Sequence, residues 1–157
     1  MDTVLYSEED VYYEISTIRD PERTSFTLAD LDVVAPERCS VKYSKHEDSS
    51  IHIVGNVSSG SNIRVPKPTG LVMVVLKPTV PHCSLMGIIS LSVYAKLKEA
   101  LPPSVCDWKI DITLLEGSHI QQHEVEKQIA DKERVAAALE NEVLVKEIDK
   151  LINADAD

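Results

Sequence analysis

The sequence predicts an α+β domain, in which a small mixed sheet packs with helices, and three observations carry this prediction. Residues 108–114 alternate apolar and polar side chains, as a strand with one buried face does. Residues 85–101 place an apolar residue at every fourth position, which is typical of a long amphipathic helix. Residues 121–152 return to helical spacing. We therefore expect a helix, strands, a long helix, a strand and a helical C-terminus, in that order.

The remaining elements are predicted from shorter signals. Residues 8–18 have helical spacing, with Ser7 as N-cap, and Asp20-Pro21 stops this helix. Thr27 and Asp30 have the spacing of a capped turn. The other segments are a strand over 38–43, a second strand candidate over 51–57, a buried strand over the apolar run 71–76, one or two helices from 121, and a terminal helix ending near 152.

Composition limits the class of protein. The 157 residues suit one domain, 1–157. The net charge is −10, with the acidic residues concentrated at both ends, so direct binding of nucleic acid is disfavoured. The N-terminus lacks the pattern of a signal peptide, and no apolar run is long enough for a membrane span. Three cysteines without pairing spacings indicate a reducing compartment, cytoplasm or nucleus.

Cys83 is the first candidate for chemistry. It follows Pro81-His82 at a predicted strand-to-helix turn, where the unpaired N–H groups of a helix start favour a thiolate. An unreactive cysteine packed at the helix start would explain the position of Cys83 equally well. His82 is explained as a solvent-exposed residue of the same turn. Cys39 shares a strand face with apolar residues and is expected in the core, while Cys106 has no motif around it.

Two further groups of polar residues are candidates. His119, His123 and Glu124 have the spacing of a divalent-metal site if all three lie on one helix, but His119 is expected before the helix begins. Asp20-Pro21-Glu22 is open to two interpretations as well. Its carboxylates either cap their own turn or contribute to a site elsewhere.

Four segments together resemble a known family. They are IRDPERTSFTLADLDVV at 18–34, PTVPHCSLMGIISLSVYAKLKEALP at 78–102, KIDITLLEGSH at 109–119, and KQIADKERVAAALEN at 127–141. They resemble the eukaryotic subunit of the cytosolic iron–sulfur assembly targeting complex, which shares its domain with bacterial metal–sulfur cluster assembly proteins. Departing from the family pattern, the chain carries about twenty extra residues near 49–69. These form either a hairpin from 51–57 and 63–76 or a surface loop.

The resemblance implies an adaptor and not an enzyme. Such a subunit helps to transfer [4Fe–4S] clusters to cytosolic and nuclear apo-proteins, alongside a WD-repeat propeller subunit and a HEAT-repeat adaptor. Cys83 matches the reactive cysteine of the family. Asp20 and Glu22 match its D-P-E motif, Thr79 and His82 flank the cysteine, and His119 matches the histidine of a G-[ST]-H motif.

Several alternatives stay open at this point. No stably bound cofactor is expected, and one cysteine does not hold a [4Fe–4S] cluster, so a transient cluster or a divalent metal is the expected cargo. Two alternatives compete with the adaptor. In the first, Cys83 is the nucleophile of a thiol enzyme, and in the second the chain is a structural scaffold. A homodimer is a further open alternative, and the exposed face of the KERVAAALEN helix is either solvated or a docking surface.

Overall fold

A computed structural model describes residues 6–44, 68–81, 85–102 and 107–153. Within these ranges the chain forms an α+β domain, as the sequence predicts. The helices are α1 (Glu8–Ser16), α2 (Met86–Ala100), α3 (Gln122–Ala130), α4 (Lys132–Glu140) and α5 (Glu142–Ile152), and a short 3₁₀ turn covers Pro36–Arg38. The strands are β1 (Cys39–Ser44), β2 (Thr69–Leu76) and β3 (Asp107–Leu114).

The described strands form one mixed sheet in the order β1-β2-β3. β1 pairs antiparallel with β2, and β2 pairs parallel with β3, with Leu76 opposite Leu114. Because parallel neighbours need a crossover, α2 connects β2 to β3 and completes a β-α-β unit. The carboxyl ends of β2 and β3 therefore lie side by side at one edge of the sheet.

One face of the sheet is buried under helices. Val72, Val74 and Leu76 of β2 lie in the core together with Ile112 and Leu114 of β3. The helices bury their apolar stripes against these strands, and this is the main stabilising contribution to the fold. The core residues from the helices include Val11, Ile15, Ile89, Val93, Leu97, Val125, Ile129, Ile148 and Leu151.

The run 71–76 is a strand, but it is not buried on both faces as its unbroken apolar sequence suggests. Its burial alternates, and Leu71, Met73 and Val75 remain partly exposed on the second face. The helices of the core cluster pack on the first face, which explains the difference. A continuous apolar run is typical of a sheet covered on both sides, and here it belongs to a sheet covered on one.

Three of the described helices, α1, α4 and α5, begin at a residue whose side chain caps them. Ser7 caps α1 with a reciprocal capping box to Asp10, as predicted for this N-cap. Thr27 and Asp30 exchange the same two bonds around a turn, at 3.0 and 3.1 Å. The helical C-terminus is divided into three helices, because Asp131 caps α4 and Asn141 caps α5.

The predicted strand 51–57 and most of the family-atypical segment near 49–69 lie outside the described residues. Across the described ranges, no helix combines the length and the apolarity that a bilayer crossing requires.

Candidate functional site

Three motif-bearing segments meet at the carboxyl ends of β2 and β3. The link that follows β2 begins with the Lys77 N–H, which donates to Val33 O at 2.9 Å, and so lies beside the segment 18–34. The loop that follows β3 is joined to the same link by the Ile120 N–H, which donates to Pro81 O at 2.9 Å. This end of parallel strands is a common position for ligand sites, because the connecting loops diverge there.

The D-P-E turn is held by its own first carboxylate. Asp20 is 5% exposed, and its Oδ1 accepts the N–H groups of Glu22 and Arg23, both at 2.9 Å. The turn-capping interpretation is therefore right for Asp20. Glu22 is exposed, and its side chain is available for contacts beyond the turn.

The C-terminal helix α5 also holds this turn, through a backbone hydrogen bond. The Arg19 N–H, next to Asp20 in the chain, donates to Leu151 O in α5 at 3.0 Å. The Asp20 N–H donates to Phe26 O at 3.0 Å and closes the turn. The D-P-E segment is thus fixed by backbone contacts on both sides, although it contains no regular helix or strand.

His119 lies in the loop that follows β3, before α3 begins. It is 8% exposed, and its Nδ1 accepts the Gln121 N–H at 3.0 Å. In the neutral ring the hydrogen therefore sits on Nε2. Gly117 precedes it with φ 74°, a left-handed conformation that favours glycine. The G-S-H residues therefore form a tight turn that places the His119 side chain in a buried position.

Gln122 holds this loop, and sequence reasoning missed it. Its Oε1 accepts the Gly117 N–H at 3.0 Å, and its Nε2 donates to Glu126 Oε1 at 3.0 Å and to Leu114 O at 3.3 Å. A buried glutamine at the first position of a helix has no distinguishing pattern in the sequence, since glutamine is a common surface residue of helices. Its role follows from the contacts alone.

The predicted metal group is not assembled. His119 precedes α3, while His123 and Glu124 lie exposed in its first turn. Throughout the part of the chain that the structure describes, no three His, Cys, Asp or Glu side chains are grouped closely enough to hold a metal ion.

Cys83 and His82 lie outside the described residues, as does Cys106. Their neighbours are described on either side. Thr79 is exposed in the link, and α2 begins at Met86, three positions after Cys83. The chain position of Cys83, between the carboxyl end of β2 and the start of a long helix, agrees with the predicted strand-to-helix connection.

Large apolar side chains are exposed on the link, on the loop bonded to it and on the D-P-E turn. Val80 in the link is 42% exposed, and Leu115 and Ile120 in the adjoining loop are 38% and 75% exposed. Phe26, which closes the D-P-E turn, is 47% exposed. Exposed apolar side chains on adjoining segments are typical of a surface that binds another protein.

Cys39 differs from a reactive cysteine in its burial and in the pKa of its thiol. Its position in the core is the one that its sequence pattern predicts. It is 5% exposed, and its Sγ lies 3.5 Å from Ala35 O. Burial raises the pKa of its thiol from 9.0 to about 11, so the thiolate is scarce near neutral pH.

We expect iodoacetamide to modify Cys39 at least about 100-fold more slowly in the folded protein than in urea. A pKa of about 11 in place of 9.0 lowers the thiolate fraction by about that factor, and burial slows access further. Timed labelling followed by peptide mass mapping measures the rate. Labelling of Cys39 at the same rate in both conditions would contradict its assignment to the core.

Together the fold and the site define a class: a small α+β domain with a cysteine-bearing β-to-α link, a buried histidine loop bonded to that link, and a carboxylate-capped turn. None of the protein-family models matches the chain. Among curated proteins, MIP18 family protein galla-2 of Drosophila melanogaster is 34% identical over 149 residues, which cover 95% of this chain and 78% of the fly protein. Protein AE7-like 2 of Arabidopsis thaliana is 33% identical over 152 residues, or 97% of this chain and 98% of the plant protein.

The chain belongs to the MIP18 family. This confirms the resemblance drawn from the four sequence segments. A Mus musculus relative, named cytosolic iron-sulfur assembly component 2B, is 42% identical over 99 residues, which are 63% of this chain and 59% of the mouse protein. The chain spans between 50% and 63% of the length of that protein and of three other relatives.

Proposed function

We propose that this protein is an adaptor subunit in cytosolic iron–sulfur protein assembly, and that it uses Cys83 as a reactive thiolate when [4Fe–4S] clusters pass to apo-proteins. The name of the mouse relative supports the assembly role. The observation that carries the site is that the link leading to Cys83 is hydrogen-bonded both to Val33 of the segment 18–34 and to Ile120 of the His119 loop, at the carboxyl ends of β2 and β3.

Contact with other proteins is supported by the exposed apolar side chains of the same region. Val80 and Ile120 come from the two segments that the Ile120–Pro81 hydrogen bond joins, so a protein bound over the link covers both. The partners we propose are a WD-repeat propeller subunit, a HEAT-repeat adaptor and apo-proteins that receive clusters in the cytoplasm and nucleus. Burying these side chains in such a complex contributes favourably to its affinity.

The cluster is cargo in this proposal. A [4Fe–4S] cluster normally takes four thiolates, whereas the cysteine among the described residues, Cys39, is buried with a raised thiol pKa. Cys83 would therefore act as one transient ligand, with the remaining ligands supplied by the partner or the recipient protein. A thiolate is the form of cysteine that binds iron.

A thiol enzyme is the competing function, and the contacts of His119 count against it. A general base must present an unprotonated nitrogen to the thiol. Nδ1 of His119 already accepts the Gln121 N–H, and Nε2 then carries the hydrogen of the neutral ring. In this arrangement Nε2 of the neutral His119 ring is a hydrogen-bond donor and not the unprotonated nitrogen that a base requires.

The decisive experiment compares wild type with Cys83→Ser, with Cys106→Ser as the matched cysteine control. Each is tested for capture of the WD-repeat subunit and for restoring a [4Fe–4S] enzyme in cells depleted of the endogenous family member. We expect all three to bind the subunit, and wild type and Cys106→Ser alone to restore the enzyme. Full restoration by Cys83→Ser would mean that the protein acts as a scaffold without a reactive thiolate. Failure of wild type in both assays would mean that the protein does not act in this assembly process.

A further inference from the structure

The first half of β3 forms an open edge of the sheet. The Asp107 N–H donates to Pro68 O at 3.1 Å, and the Leu115 N–H donates to Leu76 O at 2.8 Å. Because hydrogen bonding alternates along a strand, the odd-numbered residues of β3 direct their backbone groups toward β2. The even-numbered residues direct their N–H and C=O groups away from the sheet.

The far end of this edge is already covered. The outward Leu114 N–H donates to Glu126 Oε1 at 3.0 Å, and Leu114 O accepts from Gln122 Nε2 at 3.3 Å. The outward backbone groups of Trp108 and Ile110 have no hydrogen-bond partner among the described residues. Unpaired groups of this kind pair readily with another extended chain.

A groove of about 800 Å³ lies beside these unpaired groups, along residues 107–111 of β3. Its size is within the range of cavities that hold ligands. In a strand added to β3, every second side chain points toward the helices and would enter this groove. The wall on the helix side combines apolar side chains with two lysines: Tyr94, Leu101, Ile129, Val135, Lys98 and Lys132.

The other face of β3 carries an alternating charge pattern. Asp107, Lys109 and Asp111 are exposed, and none of them forms an ion pair with a described residue. Side chains that face each other on neighbouring strands stabilise the pair when their charges are opposite and destabilise it when they are alike. A strand that complements this acidic–basic–acidic pattern therefore carries basic, acidic and basic residues at alternate positions.

This complement fixes the register of the added strand. A slip of one residue would turn its apolar side chains away from the groove, and a slip of two would set like charges against each other. A second copy of β3 laid antiparallel over the same three positions would oppose like charges at all of them, because Lys109 would face its own copy. The pattern thus favours a different chain.

We propose that the β3 edge binds an extended segment of another protein, in which apolar residues alternate with a basic, an acidic and a basic residue. The apolar residues lie opposite Trp108 and Ile110 and enter the groove, while the acidic residue lies opposite Lys109. This surface is at the amino ends of β2 and β3, whereas the link to Cys83 leaves from their carboxyl ends. It is therefore a second binding surface and does not depend on the proposed function of Cys83.

A designed peptide tests the charge pattern. The matched probe is a fluorescein-labelled peptide of seven residues, in which four valines alternate with lysine, glutamate and lysine. The reversed probe carries glutamate, lysine and glutamate at those positions. Fluorescence anisotropy gives the dissociation constant of each with the full chain. We expect wild type to bind the matched probe at least about tenfold more tightly, because each of three facing pairs changes sign.

A charge reversal in the protein tests the position of the probe. Lys109→Glu is expected to weaken binding of the matched probe about tenfold, and a probe with lysine in place of the central glutamate is expected to restore it. Lys42→Glu is the matched control, because it makes the same exposed change on β1, the other edge strand of the described sheet. Its affinity for the matched probe should equal that of wild type.

Backbone methylation tests the strand pairing itself. One version of the matched probe carries N-methyl groups on its valines, and another carries them on its charged residues. One version is expected to lose binding and the other to keep it, since only alternate N–H groups of an added strand face β3. Loss with methylated valines indicates antiparallel pairing, and loss with methylated charged residues indicates parallel pairing.

Three results would overturn the proposal. The first is equal binding of the matched and reversed probes, and the second is binding that neither methylation pattern affects. The third is the absence of binding to wild type at every accessible concentration, whether a second copy or residues 45–67 of the same chain already occupy the edge.

Discussion

Replacing Asp20 with alanine is expected to lower the free energy of unfolding by roughly 2–4 kcal/mol. The change removes a buried carboxylate oxygen that accepts two backbone N–H bonds and leaves the Glu22 and Arg23 N–H groups without it. Urea unfolding followed by the fluorescence of the single tryptophan measures the loss. Asp20→Asn keeps one acceptor oxygen without the charge, and we expect about half of the effect.

Glu22→Ala is the matched control from the same turn. Its side chain is exposed, so its stability is expected to stay within about 0.5 kcal/mol of wild type. This pair separates two roles within one motif. If Asp20→Ala is as stable as wild type while Glu22→Ala is not, the assignment of Asp20 to the structure of the turn is wrong.

Gln122→Ala is expected to cost about 2–3 kcal/mol and to release the His119 loop. It deprives the Gly117 N–H and Leu114 O of their partner, and each partly buried polar group left unpaired costs about 1–3 kcal/mol. The Ile120–Pro81 bond remains in place. Amide exchange at Gly117 and Ile120 is expected to accelerate more than the change in global stability accounts for.

Two substitutions sharpen this test. Gln121→Ala alters the exposed N-cap residue next to it, whose side chain makes no capping bond, and should leave exchange in the loop unchanged. Gln122→Glu keeps an acceptor for Gly117 but places a carboxylate against Glu116 and Glu126. Its stability should recover as the pH falls, because protonation removes the repulsion. Equal loop exchange in Gln122→Ala and Gln121→Ala would contradict the role given to Gln122.

Local chemistry made much of the fold predictable. The α1 cap, the alternation in β3 and the long helix after the cysteine each depend on neighbouring residues, and each was predicted close to its observed position. A terminal helix preceded by one or two helices was predicted, but the break points at Asp131 and Asn141 were not, although both are favoured N-cap residues. The partial exposure of Met73 depends on what covers the sheet, which no local pattern encodes.

The motif residues of the site were predictable from the sequence, but the residues that hold those motifs in place were less so. Asp20 and His119 were singled out from the sequence, and both lie buried in turns, of which the His119 loop is bonded to the link. Gln122 was not, because its contacts join a strand end, a loop and a helix turn that only the folded chain brings together. The predicted metal group of His119, His123 and Glu124 required His119 to lie within the helix. The helix begins only at Gln122, after His119.

The hydrogen bond between Arg19 and Leu151 affects how deletion experiments on this protein are interpreted. Removing α5 would take away the carbonyl that positions the residue before Asp20, together with the core side chains Ile148 and Leu151. A truncated chain that fails to support iron–sulfur enzymes would then report a disordered D-P-E turn, whether or not α5 touches any partner. Point changes on exposed positions of α5, such as Val143, map a binding face without that confusion.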